Sequence, residues 1–237
     1  MQQHFINIYQ DTVRRINKLS TNSITTKHTI KDIKFTKGIK PNVSIINYDT
    51  VSAGIMYAEK GKTCVINMAS YKRPGGGVKR GAQAQEECLF RCSNLINTIP
   101  ESFYPLKLDE GIYTKNALFI KDKNYVIIKP VELDVVTVAS INLNEIEEGF
   151  ENTLEYRTIM MNKMLLMLSL ASENGCDNLI LGAWGCGVFH NNPTIVAQMF
   201  KEVITNNYFN IKNIIFAIIN DHNSTDDNYN IFKNILE

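Results

Sequence analysis

Five short runs rich in β-branched and other apolar residues constrain this chain more than anything else in it: VSIIN (43–47), TCVINMA (63–69), VVTVA (135–139), NLILGAW (178–184) and NIIFAII (213–219). Each is too short for a typical helix and too continuously apolar for a strand with one wet face, so they read as strands buried on both sides. Helical patterns stand between them. VSAGIMYAEKG (51–61) separates the first two, EGFENTLEYRTIMMNKMLLMLSLASENG (148–175) precedes the fourth and is ended by Gly175, and another helix starts near Pro193. This alternation predicts an α/β fold with a mixed or mainly parallel sheet covered on both faces. Met160, Met161, Met164 and Met167 follow the helical period and read as core, not as metal or cofactor ligands.

Other stretches are less sharply patterned. Phe5, Ile8, Tyr9, Thr12, Val13, Ile16 and Leu19 predict an amphipathic helix over 4–19, opening a helical N-terminal extension of about residues 1–40. A helix beginning near Gln83 carries Cys88, Leu89, Cys92, Leu95 and Ile96 on one face. A closing helix is expected from Ser224 or Thr225, with Asp226 and Asp227 at its start. Residues 98–133 contain prolines, tyrosines and short β-like pieces, NALFI and YVIIK, which the pattern does not order. No repeat or low-complexity linker divides the 237 residues, and one domain is expected.

Charge and cysteine content exclude several classes. With 25 basic and 24 acidic side chains the net charge is +1, which gives no general attraction for DNA or a membrane surface, so any anion must be bound locally. Residues 1–40 hold eight Lys or Arg against Asp11 and Asp32, while Glu145, Glu147, Glu148, Glu151 and Glu155 cluster later; both groups read as solvated faces. There is no run of eighteen apolar residues and no signal-like N-terminus. The five cysteines, Cys64, Cys88, Cys92, Cys176 and Cys186, are odd in number and lack a CxxC, against a disulfide framework or a zinc site. A soluble, unsecreted monomer of a reducing intracellular compartment is expected.

Seven of the 13 glycines fall in two places, Gly75, Gly76, Gly77 and Gly81 in one and Gly182, Gly185 and Gly187 in the other. Each place follows an expected strand and precedes an expected helix. Glycine-rich backbone there brings amides and a helix N-terminus onto an anion, and Asn191 or Asn192 with Pro193 suits a helix start. Alone, either loop reads equally well as a tight turn; together they suggest a shared diphosphate ligand. Neither carries a GK[ST] ending or a complete GxGxxG, which argues against ATP hydrolysis and dinucleotide redox chemistry.

Gln85, Glu86 and Glu87 stand at an expected helix start. Acidic residues complement a helix dipole, yet two adjacent glutamates beside an anion site repel the ligand and each other. A carboxyl group so placed has its protonated form favoured by its neighbours, and can give a proton to a leaving oxygen and take one from water. His190 and His222 read as solvated or capping loop residues rather than bases.

Gly75-Gly76-Gly77, seven residues and Gln85-Glu86-Glu87 resemble the GGG…QEE signature of bacterial-type poly(ADP-ribose) glycohydrolases, relatives of macrodomains. IINYDT (45–50), VINMAS (65–70), GAQAQEE continuing into RCSNL (81–95), LGAWGCGVFHNNP (181–193) and IIFAII (214–219) support the resemblance in the same order. It implies a three-layer α/β/α macrodomain with a central mixed sheet, and hydrolysis of ribose–ribose O-glycosidic bonds without metal or cofactor. It makes poly(ADP-ribose) or ADP-ribosylated protein the partner and ADP-ribose the product. By the same resemblance Glu87 is the acid and base, and Glu86 holds a ribose hydroxyl. Substrate contacts fall to Gly75, Gly76, Gly77, Val78 and Gln85 and to Gly185, Cys186, Gly187 and Val188, the two glycine loops gripping the diphosphate. Phe189 would pack on the terminal ribose and Asp49 would hold the adenine edge. An asparagine usually precedes PGGG in the family; here it is Arg73, either a contact to an extended polymer or a solvated side chain. Two alternatives use much of the same site, a reader that binds ADP-ribose without cutting it and a hydrolase of mono-ADP-ribosyl substrates. Only the QEE triplet separates enzyme from reader.

Overall fold

In the computed structural model, which describes residues 2–33, 38–220 and 227–237, seven strands form one sheet. They are β1 (Ile24–Thr29), β2 (Asn42–Ile46), β3 (Thr63–Met68), β4 (Glu110–Lys121), β5 (Ile127–Val138), β6 (Asn178–Leu181) and β7 (Asn213–Ala217), in the spatial order β1-β4-β5-β3-β6-β7-β2. Neighbours from β5 through β3, β6 and β7 to β2 run parallel, and β4 pairs antiparallel with both β1 and β5. The sheet is therefore mixed, as the alternation predicts.

Side chains on a strand point alternately to opposite faces, which divides the apolar runs between two cores. Cys64, Ile66, Val136, Leu179, Ile214 and Phe216 face one side, against Met164, Phe200 and Phe232 of helices α5 (Leu154–Glu173), α6 (Pro193–Asn206) and α7 (Asn228–Leu236). Val65, Val135, Ile180 and Ile215 face the other, against Tyr9, Val51 and Leu89 of α1 (Gln2–Ile16), α2 (Thr50–Ala58) and α3 (Gln85–Cys92). That is a three-layer α/β/α arrangement. Burial of each such side chain contributes about 1.5–3 kcal/mol, and the Phe200–Phe216 ring pair, 5.1 Å between centroids, adds edge-to-face contact.

The structure corrects four expectations. Residues 24–29 lie in the sheet as edge strand β1, so among the described residues of 1–40 the helix runs only from Gln2 to Ile16, apart from one short turn at Ile30–Asp32. VVTVA is the second half of β5, whose hairpin with β4 fills much of 98–133. The helix begun at Gln85 stops at Cys92, because Ser93 turns extended and bridges to Phe119 while Asn94 exchanges hydrogen bonds with Leu118. Leu95 then opens a separate turn, α4 (Leu95–Thr98). The helix expected from 148 begins at Leu154, where the Thr153 side chain accepts from the Tyr156 amide. Asp227 caps α7, with Ser224, Thr225, Asp226 and His222 outside the described residues.

Candidate active site

Parallel strands all point their carboxyl ends the same way, and a ligand of such a sheet collects there. Met68 at the end of β3 and Ser70 after it, Ser140 after β5, Ala183 after β6 and Ile218 after β7 line a cleft of about 400 Å³ at that edge. The starts of α2 and α3 complete it, bringing Asp49, Gln85, Glu86 and Glu87 to its wall.

The glutamates sit in the first turn of α3 and are almost wholly buried, Glu86 at 3% and Glu87 at 6% exposure. Carboxylates at such burial need donors, and the three glycines supply them. Gly75 N donates to Glu86 Oε1 (3.1 Å) and Gly77 N to Glu87 Oε1 (2.8 Å). Gly76 lies between these amides at φ +52°, with its Cα directly over the pair; an added Cβ would stand 2.6 Å from Glu87 Oε1 and 2.9 Å from Glu86 Oε2. Only glycine fits there.

The two carboxyl groups are otherwise unlike. Both oxygens of Glu86 are engaged, Oε2 by Ser70 N (2.8 Å) and Oε1 also by Asn67 Nδ2 (3.3 Å). Burial, with a further push from the charge of Glu87, raises Glu86 to about 8 against the pull of these N–H donors. Asn67 Oδ1 is buried without a partner; turning that amide would offer Oδ1 to a protonated Glu86. Glu87 Oε2 is buried and has no hydrogen-bond partner, although Glu87 lines the cleft.

The second loop is built the other way. Gly185, Gly187, Val188 and Phe189 line the cleft, and among the described residues their amides have no acceptor. Gly185 is at φ +80° against Ser140, where a Cβ would approach Oγ to 2.5 Å. Asn191 Nδ2 pins the loop by donating to Gly185 O and Ile141 O, and Asn192, not Asn191, caps α6 through the Thr194 and Ile195 amides. A short segment ties this loop to residues 71 and 72: Asn144 Nδ2 donates to Val188 O and Leu143 N to Phe189 O, while Glu145 accepts from Tyr71 and Lys72. Glu145, expected as a merely solvated residue, is a tie.

Several expected contacts are placed elsewhere. Gly75, Gly76, Gly77 and Val78 lie outside this cleft, and all four amides are spent within the protein, Gly76 N on Arg73 O and Val78 N on Gly75 O. Two of the four, Gly75 N and Gly77 N, hold the buried glutamates. Val78 is packed in the core at 1% exposure. Cys186 is buried with its amide on Ala183 O. Gln85 reaches the cleft wall, yet its amide is tied to the β3 backbone at Ile66 O and Met68 N. His190 is an exposed loop residue at φ +56°.

Asp49 does face the cleft. Its Oδ1 caps α2 through Ser52 N (2.9 Å), and its Oδ2 is buried and unpartnered apart from Lys123 Nζ at 3.9 Å. Beside it stand Phe5 and Tyr125, 5.9 Å apart edge-to-face, with the buried Arg91 guanidinium against both rings. The sequence gives no direct sign of Phe5, Lys123, Tyr125, Ser140 or Asn228 as lining residues. Ser140 was findable as the residue after an apolar strand run; Phe5 and Tyr125 are gathered by tertiary packing alone. Four cleft-lining residues, Asp49, Glu87, Ser140 and Asn228, each keep a buried polar atom without a partner. Buried polar groups are normally paired, so such a concentration marks a place completed by a ligand. Among the described residues no group of three or more His, Cys, Asp or Glu is arranged to hold a metal ion.

The three-layer α/β/α fold is shared with solved glycohydrolase structures. That of poly(ADP-ribose) glycohydrolase (PARG) from Thermomonospora curvata superposes with TM-score 0.83 at 21% identity, covering 97% of this chain and 98% of that one. The same enzyme bound to the inhibitor ADP-HPD gives 0.82 at 21%, with the same coverage. PARG from Deinococcus radiodurans in complex with ADP-ribose gives 0.80 at 25%, covering 90% of this chain and 94% of that one. No curated protein matches the sequence. Residues 2–125 match the family described as microbial-type PARG, catalytic domain. The chain belongs to that family.

Proposed function

We propose that the protein hydrolyses the ribose–ribose O-glycosidic bonds of poly(ADP-ribose), releasing ADP-ribose, with Glu87 as the proton shuttle. The observation that carries this reading is the unpartnered, buried Glu87 Oε2 on the cleft wall, its other oxygen held by Gly77 N. A reader of ADP-ribose has no use for a carboxyl oxygen kept dry and free at that position.

The diphosphate meets the open amides of Gly185, Gly187, Val188 and Phe189, the adenine edge meets Asp49 Oδ2, and the terminal ribose is brought to α3. Glu87 Oε2 gives its proton to the departing ribose oxygen as the anomeric C–O bond breaks and its electron pair goes to that oxygen. The sugar cation is stabilised by the nearby diphosphate. Water then attacks the anomeric carbon and its proton returns to Glu87. Glycosidases usually divide such work between carboxyls on opposite faces of the sugar; adjacent residues on one helix turn cannot take opposite faces, and Glu86 has both oxygens occupied. One carboxyl therefore serves both steps, and Glu86 positions the ribose. Burial raises Glu86 to about 8, so a proton is held beside Glu87 near neutral pH.

The test is release of ADP-ribose from poly(ADP-ribose) and from mono-ADP-ribosylated protein by wild type and Glu87→Gln. The proposal expects polymer cleavage to fall by about 10³-fold or more, since acid–base groups contribute about 10²–10⁴, with ADP-ribose affinity kept. Equal polymer cleavage by the variant removes Glu87 from this role; wild type that binds ADP-ribose and cuts nothing is a reader.

A further inference from the structure

The GGG loop has neighbours on two sides. On the inner side Gly77 N holds Glu87, which lines the cleft; on the outer side Gly76 and Gly77 help line a second pocket of about 270 Å³, together with Arg73, Lys79, Arg80 and one acid, Glu101. Residues 72–80 carry four cations and no acid. Two of the four are answered: Lys72 pairs with Glu145 at 2.9 Å, and Lys79 stands 3.9 Å from Glu101. Arg73 and Arg80 are exposed and, among the described residues, have no carboxylate partner. With a whole-chain charge of +1, this patch is a local feature and not part of a generally basic surface.

We propose that this outer pocket is a second anion subsite, which takes the diphosphate of the ADP-ribose unit on the leaving side of the scissile bond. The inference rests on the function proposed above. If Glu87 Oε2 protonates the leaving oxygen, that oxygen lies against the inner side of the loop. The proposed path of the unit attached to it runs past Gly76, where the absence of a Cβ leaves the backbone close against both carboxyl groups. The unit's next charged group is a diphosphate, and the unpaired groups beyond the loop are two guanidinium ions, whose planar forks fit phosphate oxygens. Arg73 thus becomes a contact to an extended polymer rather than a solvated side chain, and Arg80 is its partner. Neither touches the terminal unit, so the subsite acts on affinity for polymer and leaves the chemical step alone.

The discriminating experiment compares two substrates of the wild type and of an Arg73→Glu/Arg80→Glu double variant. One substrate is poly(ADP-ribose) of ten or more units; the other is ADP-ribose carrying an uncharged aryl group on its terminal anomeric carbon, which has no second diphosphate. The expected result is a KM for polymer raised about tenfold, with a shallower dependence on salt because fewer phosphate contacts are made. kcat and KM for the aryl substrate, and affinity for ADP-ribose, stay within twofold, which also certifies the fold. A polymer KM changed less than threefold, or an equal loss on both substrates, overturns the subsite. Wild type inert on both substrates instead removes the hydrolase reading, and this subsite with it. Wild type that cuts the aryl substrate but not polymer leaves the hydrolytic site standing and refutes the subsite.

Discussion

The glycine loops at 75–78 and 185–189 both follow strands of the same sheet and precede helices, α3 and α6, that pack on its opposite faces, and their backbones do opposite things. In the first, every amide is already engaged, two of them by the buried carboxyls of α3. In the second, the amides of Gly185, Gly187, Val188 and Phe189 stay open toward the cleft among the described residues. What separates them is the presence of buried acid: where carboxyl groups cannot reach water, they capture the nearest donors, and a loop that looks like an anion cradle becomes a clamp on the protein's own anions. On the proposed mechanism the first loop sets chemistry and the second sets binding.

Substituting each loop's constrained glycine should separate those effects. Gly76→Ala pushes a methyl group into both carboxyls at a positive φ, a cost of about 1–3 kcal/mol in strain alone. Displacing the proton shuttle is expected to lower kcat by about 10³-fold, with ADP-ribose affinity, measured by calorimetry, changed little. If the affinity falls and kcat does not, the first loop is a ligand cradle after all.

Titration sharpens the contrast next. Glu86 is raised from 4.5 to about 8, by burial above all, so the folded protein binds a proton that the unfolded chain has released over that interval. Stability then declines as pH rises from about 5 to 8, by a few kcal/mol in total. Denaturant midpoints across this range read the slope directly. Glu86→Gln flattens it, with Asn67 Oδ1 available to accept from the new amide. The second loop, residues 185–189, holds no carboxyl group and makes no such contribution. A slope unchanged by the variant would assign the decline to other groups.

The smallest effect belongs to Gly185→Ala, which crowds Ser140 Oγ and shifts the open amides. ADP-ribose affinity should weaken by about tenfold, or ~1.4 kcal/mol, while kcat at saturating polymer stays within a few-fold. A loss confined to kcat would contradict the division of labour.

The apolar strand runs were readable because burial on both faces leaves no room for polar residues, and the capping chemistry of Asn192-Pro193 and Asp227 was equally local. Strand β1 was not, since ITTKHT is a polar edge strand whose pairing with β4 is decided by tertiary contact. The β4–β5 hairpin was hidden by register shifts around Asn116, itself at φ +52°, and by Pro130 inside β5, which break a period of two. At the site, the QEE triplet and Asp49 were legible as residue types in a motif. The destination of the glycine amides was not: spacing shows that two loops can offer donors, and only the fold shows that Glu86 and Glu87 are buried against one of them. Phe5 and Tyr125 arrive from α1 and the hairpin turn, more than a hundred residues apart, with no local signal in either.

The most direct test of this division is a crystal structure of the protein with ADP-ribose. The account predicts diphosphate oxygens on the amides of Gly187, Val188 or Phe189, with Gly75 N and Gly77 N still on Glu86 and Glu87 and the Glu87 Oε2 atom facing the terminal ribose. A diphosphate seated on the amides of Gly75–Val78, with the glutamates displaced from them, would contradict it.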